Sequence, residues 1–311
     1  QTAHVNSYYN LTLSTGGTKT ITGISTINGT LTIDNATVTP STGLTIGGDI
    51  ILNNNFSFTT GAFTHSIFGN WTQNGWGNVV ATAGSTINFT GNNSAINGIN
   101  TNSNTVNFYN IVVSKNTDAI LSVTGSYSSI NVANDFTINT GTFSNGSTQL
   151  KIAGSWINNN GYLTAGDGYV SMIGNTKTVG GSTPTTFRNL EIGNGSSNYT
   201  TTLGNSQTVL GTLKMSNGLL KLGSNNITLG STANISGSMF SGNMVITDGT
   251  GEVRKVFSDN GSFTFPIGET TNYTPATLNL TEGSYVADAY IGMRVIDAKE
   301  QIGRASCRER V

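Results

Sequence analysis

Cysteine is nearly missing from this chain: a single residue, Cys307, in 311. No disulfide framework can be built from it, so stability has to come from paired backbone and packed side chains. Charged residues are also scarce, at 9% of the chain and a net charge of −1, where an ordinary soluble domain carries about 25%. No Lys/Arg run occurs before the last few residues, which argues against nucleic acid as a partner. No segment approaches the roughly 18 consecutive apolar residues of a membrane span. No charged-then-apolar signal peptide opens the chain either, and Gln1-Thr2-Ala3-His4 runs straight into patterned sequence. The expectation is a start within a longer protein or after processing. Proline is limited to 4 residues, and no apolar stripe of helical period appears anywhere.

What fills the chain instead is Asn, Thr, Ser and 40 Gly. Such a composition can signal disorder, but Val, Ile, Leu, Phe and Tyr return in period-2 alternation throughout. Leu31-Thr32-Ile33, Thr86-Ile87-Asn88-Phe89-Thr90 and Leu213-Lys214-Met215 each put apolar side chains on one face of a strand. The strands are short and punctuated by Asn-Gly, Gly-Gly, Asn-Asn or Ser-Gly, residues that accept positive φ and turn corners. Short strands with regular corners favour a solenoid over a sandwich. With coils of about 20 residues stacked ~4.8 Å apart, some 240 residues make roughly 12 coils and a rod near 55–60 Å. The fold expected is all-β: a right-handed parallel β-helix, with Asn at the corners joined in hydrogen-bonded ladders from coil to coil.

A segment of the form Phe/Tyr-x-Asn-Leu/Ile-x-aliphatic occurs three times, at Tyr8–Leu13, Phe108–Val113 and Phe187–Ile192. Downstream of each copy comes a strand introduced by Gly or Asp, at Gly29-Thr30, Asp135-Phe136 and Gly211-Thr212. Gly69-Asn70-Trp71 and Gly154-Ser155-Trp156 form a further matched pair. These landmarks predict modules beginning near 8, 108 and 187 within a repeat region spanning 1–244. After Met244 three of the four prolines appear, and Pro is confined to edges and turns in sheets. Residues 245–300 are therefore expected to be the start of an antiparallel β segment. The last ten residues, Ile302 to Val311, hold three Arg, one Glu and the only Cys. They can be encoded by the common short-read sequencing adapter, so 301–311 is read as translated adapter and set aside from fold reasoning. Without the ten residues from Ile302 on, Lys+Arg falls from 14 to 11 and Asp+Glu from 15 to 14, giving −3.

The Phe/Tyr-x-Asn-Leu modules, the Gly-x-Trp-x-x-Asn strands and the Phe265-Pro266-Ile267-Gly268 then Tyr273-Thr274-Pro275-Ala276-Thr277 segment resemble the β-strand-repeat surface proteins of bacteria that export through the type IX secretion system. The resemblance covers most of 8–297. It implies a large, adhesin-like protein located outside the cell or on its outer surface and ending in a sorting domain; no such domain occurs in this sequence.

Chemistry-bearing residues are few. Asp49 and Asp135 precede strands at matched repeat positions, and a turn role is expected over catalysis. His4 and His65 have no acidic or Cys neighbours in sequence and are read as surface residues. Asp167 and Asp248 each stand alone in Gly-rich turns, too few carboxylates for calcium. No catalytic, cofactor or metal residues are assigned, and no enzyme is expected. Aromatics beside Asn-rich turns suit sugar binding. Trp76, Tyr162 and Tyr169 are the glycan-contact residues expected, while Trp71 and Trp156 are expected in the core or covering a corner. Thr18-x-Thr20, Thr30-x-Thr32 and Thr37-x-Thr39 raise the question of a water-ordering array, but their irregular spacing favours plain β-propensity. The function expected is a structural and adhesive repeat module presenting binding surfaces away from the cell. A carbohydrate-binding or carbohydrate-cleaving β-helix is the alternative. The partners expected are extracellular glycans or surface polymers, and exposed strand edges at the ends would favour end-to-end self-association.

Overall fold

The computed structural model describes residues 2–3, 7–100, 104–164, 166–196, 199–283, 285–286 and 288–296. His4, Ala165 and the segment 301–311 lie outside them. The described residues form strands and turns with no helix, hence none long and apolar enough to cross a membrane.

The strands stack in parallel as a β-solenoid. Sheet I has 13 strands, from Ser7–Tyr8 to Ile267–Gly268, and runs the length of the molecule through about 12 turns. Sheet II has 8, from Leu11–Leu13 to Tyr162–Thr164. Sheet III has 5, ending at Asn78–Val80, and beside it the next strand, Thr105–Phe108, begins sheet IV, which has 10. The first eight coils are thus three-sided. From Lys177 onward sheet II has no further strand and each coil contributes only to sheets I and IV.

Period-2 alternation sets this arrangement. In Leu31–Asp34 and Ile50–Asn53 the first and third residues are buried and the others half-buried, so each strand contributes one inward column. Stacked in register, Ile27, Ile46, Ile67 and Phe89 line the inside of sheet I, and Leu31, Ile50, Trp71 and Ile96 that of sheet II. One continuous apolar cluster runs from Leu11 to Ile267, and full burial of each Leu, Ile or Phe contributes about 1.5–3 kcal/mol before entropy is charged against it. Coil length varies: Ile46 follows its partner Ile27 by 19 residues, whereas Val245 follows Leu220 by 25. The surplus is taken up at corners.

Corners are tied by a side-chain ladder. Asn10, Asn110 and Asn189, the Asn of the three repeated segments, each use Oδ1 to accept a backbone N–H one coil on, from Thr30 (2.8 Å), Asp135 (3.1 Å) and Thr212 (3.0 Å). Asp49 accepts from Asn70 N–H at 2.7 Å, and Asp135 from Ser155 N–H at 2.8 Å. The residue before the donor is Gly in four of these five cases. A Cβ at Gly29 would lie 2.2 Å from Asn10 Oδ1, and Gly69, Gly154 and Gly211 stand equally close to their acceptors. The recurrent Gly is therefore the space that the acceptor oxygen occupies.

The landmarks do not repeat on one face. Tyr8–Leu13 turns from sheet I to sheet II, and Phe108–Val113 from sheet IV to sheet I. Phe187–Ile192 lies within one strand, Thr186–Gly193, with a register shift between Phe187 and Asn189 in place of a corner. Trp71 projects inward from sheet II and Trp156 from sheet I. Every corner makes the same demand on the backbone, so the same short sequence serves different corners.

Parallel pairing also continues beyond Met244: Val245 pairs with Ile267 in sheet I and Ile227 with Val253 in sheet IV. The antiparallel strands lie beyond and beside this last coil. Gly261–Phe265 pairs with Ala276–Leu280, and Tyr290–Met293 runs antiparallel to Val253–Val256 along the edge of sheet IV.

Candidate functional site

On sheet IV the sequence repeats an apolar-polar-apolar triplet: Leu150-Lys151-Ile152, Val170-Ser171-Met172, Leu190-Glu191-Ile192 and Leu213-Lys214-Met215. The apolar pairs are buried in the core, so the middle residues form an outward column in which Asn131, Lys151, Ser171, Glu191 and Lys214 are consecutive partners. Next to it runs a column containing Tyr169, Asn189 and Thr212.

Glu191 is the centre of this surface and only 5% exposed. Its Oε2 accepts from Ser171 Oγ at 2.7 Å and Gln149 Nε2 at 3.0 Å. Its Oε1 accepts from Ser216 Oγ at 2.8 Å and lies 2.8 Å from Lys214 Nζ. Burial pushes the carboxyl upward, but the bonds from Lys214, Ser171 and Ser216, with the Lys214 charge, outweigh it and hold Glu191 below the ordinary carboxylate range. An anionic carboxylate with two donors on each oxygen fixes its neighbours in place. Lys214 Nζ also stands 5.6 Å from the centre of the Tyr169 ring, within cation–π range. An open cavity of about 330 Å³ adjoins the cluster, lined by Gln149, Lys151, Ile173, Glu191 and Asn194. Lys151 has no hydrogen-bond or ion-pair partner among the described residues. A half-buried aromatic ring, two amides, an unpaired ammonium and a held carboxylate make up the donor and acceptor set that recognises a polyhydroxylated ligand.

Of the three expected glycan-contact residues, only Tyr169 joins this cluster. Trp76 is 66% exposed, just after the sheet II strand Trp71–Gly75, and Tyr162 is 73% exposed at the start of the last sheet II strand. Four strand steps separate them on that sheet, a distance of ~19 Å. The three rings therefore form no common platform. Gln149, Lys151, Glu191 and Lys214 were not singled out from sequence, although the triplets that carry three of them were visible there.

The remaining polar residues serve the frame. Asp49 and Asp135 lead strands of different sheets and tie corners, as expected of turn acids. Asp167 faces Arg188 at 4.0 Å and Asp248 pairs with Lys221 at 2.9 Å. Among the described residues no three His, Cys, Asp or Glu converge. His65 departs from expectation: it is 1% exposed, not a surface residue, because period-2 alternation places it beside the inward Ile67. Trp71 and Trp156 are core residues, the latter stacked on Phe136 at 5.1 Å with 5° between the rings.

These observations define a β-solenoid protein with a polar, aromatic-flanked patch on one side. No protein-family model, curated protein or solved structure matches this chain.

Proposed function

We propose that this chain is a structural and adhesive module of a protein secreted to, or held at, the outer surface of a bacterial cell, and that the sheet IV patch is where it engages extracellular glycans. The supporting observation is unbroken coil-to-coil pairing around one core over about 12 turns, with 9% charged residues in the chain. Such a body is stiff and suits separating one attachment point from another. The resemblance to type IX-exported repeat proteins agrees with that role.

The polar patch favours glycan binding as the second part of this reading. A glycan array probed with the full chain tests it. Retention of one sugar class, lost in Tyr169→Ala and in Lys151→Ala with the unfolding midpoint unchanged, is the expected result. Retention that survives both substitutions refutes the assignment to sheet IV, and no retention leaves a spacer without a ligand. Release of shortened oligosaccharides, abolished by Glu191→Gln, would replace the adhesive reading with a carbohydrate-cleaving one.

A further inference from the structure

The outer face of sheet III differs from the other surfaces of the solenoid. Its strands Thr18–Ile21, Thr37–Pro40 and Ser57–Thr59 pair in parallel, with Thr18 opposite Thr37 and Thr37 opposite Ser57. In the adjoining column Thr20 opposes Thr39, and Thr59 opposes Val80 in the next strand. The residues between them, Lys19, Val38 and Phe58, are buried, so the six hydroxyl-bearing side chains stand on the outer face in two columns. The sequence spacing looked irregular because Thr30-x-Thr32 was counted in the series. Thr32 belongs to a sheet II strand, opposite Thr12 and Ile51. Without that pair the rows follow one another at 19 and 20 residues, one coil each.

Three further properties set this face apart. None of the six hydroxyls has a hydrogen-bond partner among the described residues, so all are open to an external lattice. No charged side chain lies in either column, whereas the outward column of sheet IV contains Lys151, Glu191 and Lys214. Five of the six are Thr, and Val80 extends one column with the same branched shape. Branching at Cβ restricts χ1, so little rotamer freedom is lost when a ligand docks.

The parallel sheet fixes the spacing. Neighbouring rows are ~4.8 Å apart and successive outward residues along a strand ~6.6 Å apart. Two repeats of that size at right angles come close to the oxygen repeats on a prism face of hexagonal ice. Waters bound by paired hydroxyls and bordered by methyl groups would continue such a lattice. We propose that the outer face of sheet III is an ice-binding site, its ligand being water in crystalline order.

The test uses the full chain and ice as the probe, reading ice-grain growth in an annealed frozen film and partition of the protein into a slowly growing ice crystal. The chain is expected to slow grain growth and to enter the ice. Thr39→Lys, at the centre of the array, should require about tenfold more protein for the same effect, as for a central contact of a small interface. Thr137→Lys, on the outer face of sheet I, should behave as the unsubstituted chain does. Asn78→Thr adds a hydroxyl in the fourth row without touching the core and should lower the concentration needed. The proposal is overturned if the chain behaves like an unrelated protein at equal concentration, if Thr39→Lys with an unchanged unfolding midpoint is fully active, if Asn78→Thr leaves activity unaltered, or if the face retains crystalline cellulose or chitin but not ice.

Discussion

Acidification is expected to open the solenoid around His65 before it affects the rest. The ring is 1% exposed, with Nδ1 accepting from Leu44 N–H at 3.2 Å, Nε2–H donating to the Thr60 carbonyl at 2.8 Å and Phe58 packed edge-on at 5.8 Å. Only the neutral, Nε2-protonated tautomer makes both bonds. Burial holds the pKa below the ordinary 6.5, and the Thr60 carbonyl offsets only part of that shift. Below pH 6.5 the unfolded chain therefore takes up a proton that the folded ring does not. The stabilisation is full above that value and falls with decreasing pH, by up to about 1.4 kcal/mol per unit. The total is bounded by what protonation destroys: Nδ1 becomes a donor facing the buried Leu44 N–H, and an orphaned buried amide costs ~1–3 kcal/mol. Glu191, held below the carboxylate range, loses its contribution only in more acidic solution, so the two windows separate.

Because unfolding of a stacked repeat need not be all-or-none, the readout is hydrogen exchange at the Leu44 amide, corrected for its intrinsic rate, between about pH 7.5 and 5. A His4→Gln background removes the only other imidazole. Exchange at Leu44 should accelerate on acidification in that chain, and far less in His65→Asn, whose amide oxygen can accept from Leu44 without titrating. Equal pH dependence in the two chains would refute the reasoning.

Asn189→Ala should cost ~1–2 kcal/mol in urea unfolding, since it leaves the Thr212 N–H without its acceptor; Asn189→Asp, which keeps that oxygen, should cost much less, and equal losses would remove the ladder from the argument. Lys115, buried with Nζ donating to the Thr90 carbonyl and Ser94 Oγ at 2.6 Å each, is pushed down to about 8 from 10.5 by burial. Between those values the unfolded chain holds a proton that the folded chain has released, so stability should rise with pH across that window by roughly 2 kcal/mol. Lys115→Met should abolish the rise, and a flat profile in the unsubstituted chain would contradict it.

The solenoid was legible because two physical signals coincide along the whole chain: alternation in strands too short for a sandwich, and Asn or Gly at each corner. Stacking order was not legible. Tyr8, Phe108 and Phe187 look like copies of one position because each precedes an Asn that ties a coil to the next, yet they lie at different points of the circuit. Coils of 19 to 25 residues have no fixed period, so sequence gives no count of how far round the chain has travelled. The Glu191 cluster was hidden for the same reason. Gln149, Ser171, Glu191 and Lys214 meet only when coils of unequal length are aligned by their inward apolar pairs. His65 was misplaced because absence of acidic neighbours was taken as a sign of exposure, when its phase relative to Ile67 fixed it inside.

Bonding between neighbouring coils, through backbone and corner ladder alike, joins segments of chain 19 to 25 residues apart. A tensile load drawing the two termini apart along the stack would be borne by one coil's bonds at a time, and the body would peel from an end. Each coil released exchanges ~4.8 Å of stacked height for roughly 60–90 Å of extended chain. Under sudden strain the rod would act as a spool, dissipating force in small successive steps while its unpeeled remainder stays folded.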